Sequence, residues 1–208
     1  MLKSRMGLVV LSVVALAMAP TFAAAATMGA EVFGAYNTFS MKDVNDALPS
    51  DADELSSGLT GGLGVRMWTN PNWMLSARWE PLFLETKSNS TNTTLNMDAS
   101  SFQFSASYFF PSTTNARYGI GAGIGHYSVS GEGTDASVPP TVTTAVEGSG
   151  PGFHIMGSGE WTVSPGFAFT AGAGFRFAEI EIQNSTTKAD YSGFMARAGL
   201  AFYLPSQK

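Results

Sequence analysis

Along most of this chain apolar and polar residues alternate one for one, the period of a β-strand with two unlike faces. Leu59, Gly61, Leu63, Val65 and Met67 alternate with Thr60, Gly62, Gly64 and Arg66. After a short turn, Trp73, Leu75, Ala77 and Trp79 alternate with Met74, Ser76, Arg78 and Glu80. Phe102, Phe104, Ala106 and Tyr108 oppose Gln103, Ser105 and Ser107, and Ile120, Ala122 and Ile124 oppose the glycines 119, 121, 123 and 125. Phe153, Ile155, Trp161 and Val163 oppose His154, Ser158, Glu160 and Thr162. Phe169, Ala171, Ala173, Phe175 and Phe177 oppose Thr170, Gly172, Gly174 and Arg176. The last segment sets Phe194, Ala196, Ala198, Leu200 and Phe202 against Arg197, Gly199 and Ala201. Only Glu31–Phe39 is ambiguous, because Phe33 and Phe39 fall on one parity and Val32 and Tyr36 on the other.

These segments predict eight strands, joined alternately by short and long connections. The short ones are turns with a proline: Thr69–Asn72, Pro111–Asn115 and Ser164–Gly166. The long ones are polar stretches at 40–57, 86–98, 130–150 and 183–190, read as loops, with the Thr/Val/Pro/Gly-rich 131–150 expected to be mobile. Short turns on one side and long loops on the other are the rhythm of an up-and-down transmembrane β-barrel. No apolar stretch beyond the first residues reaches the roughly 20 that a spanning helix needs, so a membrane crossing has to be made by a closed sheet. The expected fold is all-β: an eight-stranded antiparallel up-and-down transmembrane barrel.

The rings and the glycines decide which face is which. Large aromatics lie on the apolar parity, while Gly crowds the parity that carries Arg and Glu. An eight-stranded barrel has room inside only for filled layers of side chains, so small and charged residues belong in the lumen and rings against lipid. Trp68, Trp73, Phe110, Tyr118, Trp161 and Phe202 cluster beside the turns, where amphipathic rings favour a headgroup interface. That end is expected to be periplasmic and to hold both chain ends.

Composition narrows the setting. Lys3 and Arg5, the apolar run Met6–Ala19, Pro20 and the small residues after Phe22 have the layout of a secretory signal. Residues 1–26 are therefore expected to be cleaved and 27–208 to form one barrel domain in the outer membrane. Removing Lys3 and Arg5 leaves nine basic against 16 acidic residues, a net charge of −7, which argues against nucleic acid as a partner. With no Cys there is neither a disulfide framework nor thiolate chemistry. The acidic residues Asp43, Asp46, Asp51, Asp53 and Glu54 lack the spacing of a calcium loop, and no cofactor or metal is expected.

The last strand carries a specific signal. In Arg197-Ala198-Gly199-Leu200-Ala201-Phe202-Tyr203-Leu204, the residues Arg197, Gly199 and Phe202 resemble the C-terminal assembly signal of bacterial outer-membrane barrels, with Leu204 in place of the final aromatic and Pro205–Lys208 beyond it. The layout of strands and loops is similar to that of the small OmpA/OmpX/opacity-type barrels. The resemblance implies partners in outer-membrane lipid and lipopolysaccharide, recognition by barrel-assembly machinery, and loops that meet an extracellular ligand.

Arg66, Arg78, Glu80, Arg117, Glu160, Arg176 and Arg197 share the lumen parity. Charges in a narrow barrel must pair, because an isolated buried charge is too costly. They read as a salt-bridged plug that replaces an apolar core, with a constriction for a small anion as the sharper alternative. Leu82, Leu84, Ile180 and Ile182 lie toward the loop end of the same parity and suggest a vestibule for hydrophobic solutes if the lumen is a narrow channel. A third reading comes from His126 and Ser128, both on the outward parity. The pair resembles the His-x-Ser of lipid A deacylase barrels, which implies Ser as nucleophile, His as base and Glu132 or Glu147 as the orienting acid. Val129 stands where that family has Asn. The leading expectation is a non-enzymatic barrel that works through its loops.

Overall fold

The computed structural model describes residues 27–46, 56–88, 93–135, 142–183 and 188–204, with backbone alone at 44, 82–88, 93–97, 132–135 and 142–146. The strands are β1 (Thr27–Thr38), β2 (Ser57–Trp68), β3 (Trp73–Ser88), β4 (Thr93–Phe109), β5 (Ala116–Asp135), β6 (Val142–Ser164), β7 (Phe167–Ile182), β8 (Lys188–Asp190) and β9 (Gly193–Tyr203), with one short helix, α1 (Lys42–Asp46). Each strand from β1 to β7 pairs antiparallel with the next. β9 then pairs with both β7 and β1, which closes the sheet. Against β7, β8 and β9 keep one register, from Glu181↔Lys188 to Phe167↔Phe202. They are one stave interrupted at Tyr191-Ser192, so the barrel has eight staves. Closure gives every stave a partner on both sides, which is what hydrocarbon requires of a sheet, although β2 and β3 pair only from Leu63↔Trp79 to Trp68↔Met74.

The proline turns are where the alternation placed them. At the first, Asn70 Oδ1 accepts hydrogen bonds from the backbone N–H of Asn72 and Trp73, both at 2.9 Å, a side chain standing in for a turn carbonyl. At the third, Gly166 after Pro165 has φ 87°, the left-handed conformation that such a turn demands of its second central residue.

The long connections differ from expectation. Residues 86–98 and 130–150 are mostly paired strand: β3 and β4 remain in register out to Ser88↔Thr93, and β5 and β6 out to Asp135↔Val142. Their polarity marks where the sheet leaves the hydrocarbon, not where the strands end. A spanning strand needs only about 9–11 residues, whereas β5 has 20 and β6 has 23. The segment 131–150, expected to be a mobile loop, is thus largely a β-hairpin standing above the membrane. In the first long connection α1 carries Asp43 and Asp46. Residues 1–26, the acidic group Asp51, Asp53 and Glu54, and the tail Pro205–Lys208 lie outside the described residues, as do the side chains of Leu82, Leu84 and Glu132.

The faces divide by parity. Ile120, Ile124, Ile155, Phe169, Phe175 and Phe202 are exposed on the outside, while Arg66, Arg78, Glu80, Gln103, Glu160 and Arg176 are buried inside. The same division settles β1: Val32 and Tyr36 face out and Phe33 and Phe39 face in. Phe33 fits inside because its register partners on both sides are glycines, Gly62 and Gly199. A Cβ at Gly199 would lie 2.8 Å from the Phe33 Cβ, so the ring occupies space that only glycine leaves open.

Candidate functional site

The lumen is arranged in three tiers. At the turn end Trp68, Met74 and Phe109 form a buried apolar cluster with Tyr203 packed against it, and the Trp68 and Phe109 rings lie 4.8 Å apart. At the loop end a larger cluster joins Phe39, Met41, Ala99, Tyr127, Val129, Ala178, Ile180, Ala189 and Tyr191, with Ile182 against it. Charged and polar side chains fill the level between them.

The middle tier is held by carboxylates that each take more than one donor. Glu31, on β1, is its hub. Its Oε2 accepts from Arg78 Nε at 2.8 Å, and its Oε1 accepts from Thr170 Oγ1 at 2.9 Å and lies 3.8 Å from Arg66 Nη1. Arg66 Nη1 also lies 3.0 Å from Glu160 Oε2, and Tyr203 Oη donates to the same oxygen at 2.5 Å. Trp68 Nε1 donates to Tyr203 Oη at 3.1 Å, which ties the ionic tier to the turn-end cluster. Glu80 is served by amides instead: Asn37 Nδ2 donates to Oε1 at 2.8 Å and Gln103 Nε2 to Oε2 at 3.0 Å. Arg197 Nη2 in turn donates to Gln103 Oε1 at 3.3 Å. Desolvating an ion costs several kcal/mol, and in this network each carboxylate offsets it by taking two or more donors.

Of the residues expected in the lumen, Arg66, Arg78, Glu80, Glu160, Arg176 and Arg197 are buried there. Arg117 sits at the turn-end mouth, half-buried, with its guanidinium 4.9 Å from the Trp68 ring centroid. Its cross-strand partner is Glu160, but that carboxylate is engaged by Arg66 and Tyr203. Ile180 and Ile182 lie at the loop end as expected, packed within and against the apolar cluster. Glu31, Asn37, Gln103, His154 and Tyr203 were missed as site residues. For Glu31 the chain carries only part of the signal: it shares the parity of Phe33, whose inward direction is set by the register that places it between Gly62 and Gly199. His154, whose Nε2 lies 2.8 Å from Ser105 Oγ, stands on the polar parity of β6, and only the register sets it opposite Gly123.

His126 and Ser128 face outward on β5, as the alternation implies. Their neighbours do not assemble a relay. Ser128 Oγ lies 3.0 Å from Ser100 Oγ on β4. In the β5–β6 register His126 is opposite Pro151, Ser128 opposite Ser149 and Ser130 opposite Glu147. Glu147 therefore lies about 13 Å along the strand from His126 and Glu132 about 20 Å, at roughly 3.3 Å per residue. A Ser-His-acid relay needs the histidine between the other two, but here the serine lies between the histidine and both acids. Among the described residues, no group of His, Asp or Glu is arranged to hold a metal ion.

On the outer wall, rings gather at the turn end, except Trp68, which was expected at the headgroup interface but shares the parity of Arg66 and is buried in the lumen. Trp73 packs edge-on to Tyr108 at 5.5 Å, Tyr118 to Trp161 at 5.8 Å, and Phe167 against Phe202 at 5.2 Å. Leu204 continues the last stave, its N–H donating to Met28 O at 2.8 Å, so the segment that resembles an assembly signal lies along the closing seam with β1.

The family model of the outer membrane protein beta-barrel domain matches residues 8–155. Neisserial surface protein A is similar in structure at a TM-score of 0.58 and 11% identity, over 86% of this chain and 98% of that one. The outer membrane protein OprG of Pseudomonas aeruginosa gives 0.55 and 7% over 87% and 96%. A major outer membrane protein of Thermus thermophilus gives 0.55 and 11% over 85% and 99%. Identities this low establish a shared fold. No curated protein matches the sequence significantly.

Proposed function

The chain belongs to the outer membrane protein beta-barrel domain family, and from that premise we propose that it is a non-enzymatic barrel, sealed along its axis, that acts through its extracellular side. The observation that carries this reading is the clamp of Arg66 and Arg78 on Glu31 and Glu160, with all four side chains at most 6% exposed. A pore needs water along its axis. Here the ionic tier lies between two apolar clusters, and removing one partner of such a buried pair costs about 3–5 kcal/mol, too much for routine opening. Insertion of the refolded protein into planar bilayers tests it. A silent bilayer is expected, and discrete conductance steps would instead establish a narrow channel for small or hydrophobic solutes.

What remains for function is the rim. The β5–β6 and β3–β4 hairpins stand above the apolar band, and their outward residues Asp98, Ser130, Glu147 and Ser149 are exposed and acidic or hydroxylic. Such a rim suits surface interaction or envelope integrity among lipopolysaccharide headgroups and disfavours polyanions such as nucleic acid. On this reading residues 1–26 are a cleaved export signal, and the strand containing Arg197, Gly199, Phe202 and Leu204 is the segment that assembly machinery recognises. The non-enzymatic part of the proposal is supported by the misordered His126, Ser128 and acids.

A further inference from the structure

Between the ionic tier and the loop-end cluster the lumen keeps a small cavity, with about 10 Å³ open to the centre of a water-sized sphere. That is room for one small guest. Glu80, Ser101, Tyr127, Arg176, Ile180 and Tyr191 are among the residues around it. Three of these carry buried polar atoms that make no hydrogen bond of ordinary geometry, Arg176 Nη2, Tyr127 Oη and Tyr191 Oη, with the Tyr127 hydroxyl set close to the Arg176 guanidinium. The three residues are only 3%, 3% and 2% exposed, so bulk water does not serve those atoms. The rest of Arg176 is held in place. Its Nε donates to Tyr191 O at 2.9 Å, and its guanidinium lies 5.5 Å from the ring centroids of both Phe39 and Tyr127.

Charge gives an independent argument. Among the described residues the buried arginines are Arg66, Arg78, Arg176 and Arg197, against only three buried glutamates, Glu31, Glu80 and Glu160. Glu31 and Glu160 are taken by Arg66 and Arg78. Both oxygens of Glu80 accept from amides, so although it borders the cavity it is already satisfied elsewhere. Arg176 and Arg197 are left without a carboxylate within ion-pair distance among the described residues. A buried cation lacking a counter-charge is costly.

We propose that this cavity is a site for one small monovalent inorganic anion of the halide class, held by Arg176 and the hydroxyls of Tyr127 and Tyr191. A guanidinium can only donate, and a tyrosine hydroxyl can donate, so the three free atoms together suit an acceptor. A water can accept from Arg176 and one tyrosine and donate to the other, but it leaves the excess positive charge in place. A halide ion accepts from all three and cancels it. The small cavity favours a monatomic ion over polyatomic anions, and the nearby Glu80 disfavours a second negative charge. The site rests on the sealed-lumen reading, because a resident ion needs closed walls.

The test is heat-induced unfolding of the refolded barrel in detergent, in chloride and in gluconate at equal concentration. The wild type is expected to unfold at a higher temperature in chloride, with a shift that grows with halide concentration as ligand linkage requires. Arg176→Gln is expected to abolish the difference. The double variant Tyr127→Phe/Tyr191→Phe keeps the ring packing and is expected to shrink it, which carries the comparison if Arg176→Gln does not refold. Crystals soaked in bromide should show anomalous density between Arg176 and the two tyrosines. Equal unfolding in both salts, a difference unchanged in the variants, or no bromide peak overturns the site. With the bilayer silent, those results leave the sealed lumen standing; conductance would overturn the sealed lumen itself.

Discussion

Glu31 Oε2 lies 2.8 Å from Arg78 Nε with both side chains buried, a bond that passes over β2 to join the first strand of the barrel to the third. The same carboxylate reaches Thr170 on β7. One residue near the start of the chain thus draws together staves from opposite sides of the wall. Glu31→Gln keeps the shape and removes the charge. It is expected to destabilise the barrel by about 3–5 kcal/mol, because Arg78 is left buried with no carboxylate. Urea unfolding in detergent or lipid measures this, and a loss under about 1 kcal/mol, the scale of an exposed pair, would show that the clamp does not hold the staves.

Glu160→Gln and Glu80→Gln separate two kinds of buried acid. Glu160 faces Arg66 and the Tyr203 hydroxyl, so its neutralisation is expected to cost about as much as that of Glu31. Glu80 faces only neutral amides. Its replacement rearranges hydrogen bonds, with an expected cost of about 1–3 kcal/mol. The two are expected to destabilise together; unfolding curves for both variants and the double variant that coincide with wild type would remove the ionic plug as a source of stability.

Two glycines on opposite faces make a paired test of lumen packing. At Gly123 an added Cβ would lie 2.6 Å from His154 Cε1, whereas at Gly157, on the lipid face, the nearest atom is the Ala173 carbonyl oxygen at 3.8 Å. Gly123→Ala is expected to cost about 1–3 kcal/mol through overpacking, and Gly157→Ala close to nothing. Equal effects on unfolding would contradict the assignment of the two faces.

Depth in the membrane can be read along β5. Ala122→Arg places a charge in the middle of the apolar band, with an expected penalty of about 2–4 kcal/mol, while Ser128→Arg, six residues toward the loop end, is expected to cost about 0–1 kcal/mol. Refolding into short-chain lipid vesicles with denaturant titration reports both. A larger penalty at Ser128 would mean that the band lies higher than its rings indicate.

Lipid A from cells overproducing the chain is expected to keep its acylation pattern, and Ser128→Ala to change nothing. A loss of one acyl chain, abolished by Ser128→Ala, would establish the hydrolase that the β5–β6 register argues against.

Alternation was legible because a strand repeats every two residues and each face of this barrel meets a different medium. It determined the stave count, the outward rings, the turns and six of the buried charges without tertiary information. It also placed His126 and Ser128 on one outward face. It misjudged where strands end, because polar residues pair as readily above the membrane as apolar ones do within it. The ambiguity of β1 came from Phe33, a large inward ring at the level of the ionic tier, where most inward residues are small or charged.

Register across the wall is what the chain alone left open. Only the closed sheet sets Phe33 beside Gly62 and Gly199, turns Glu31 toward Arg78, and puts Ser128 between His126 and both acids. Periodicity assigns each side chain to a face, but not to a height on that face. Contacts between staves distant in sequence depend on how the strands are staggered when the barrel closes, and that stagger has no local signature. Alternation assigns most residues to lipid or lumen, β1 excepted, whereas which lumen residues meet one another depends on distances that only closure of the sheet sets.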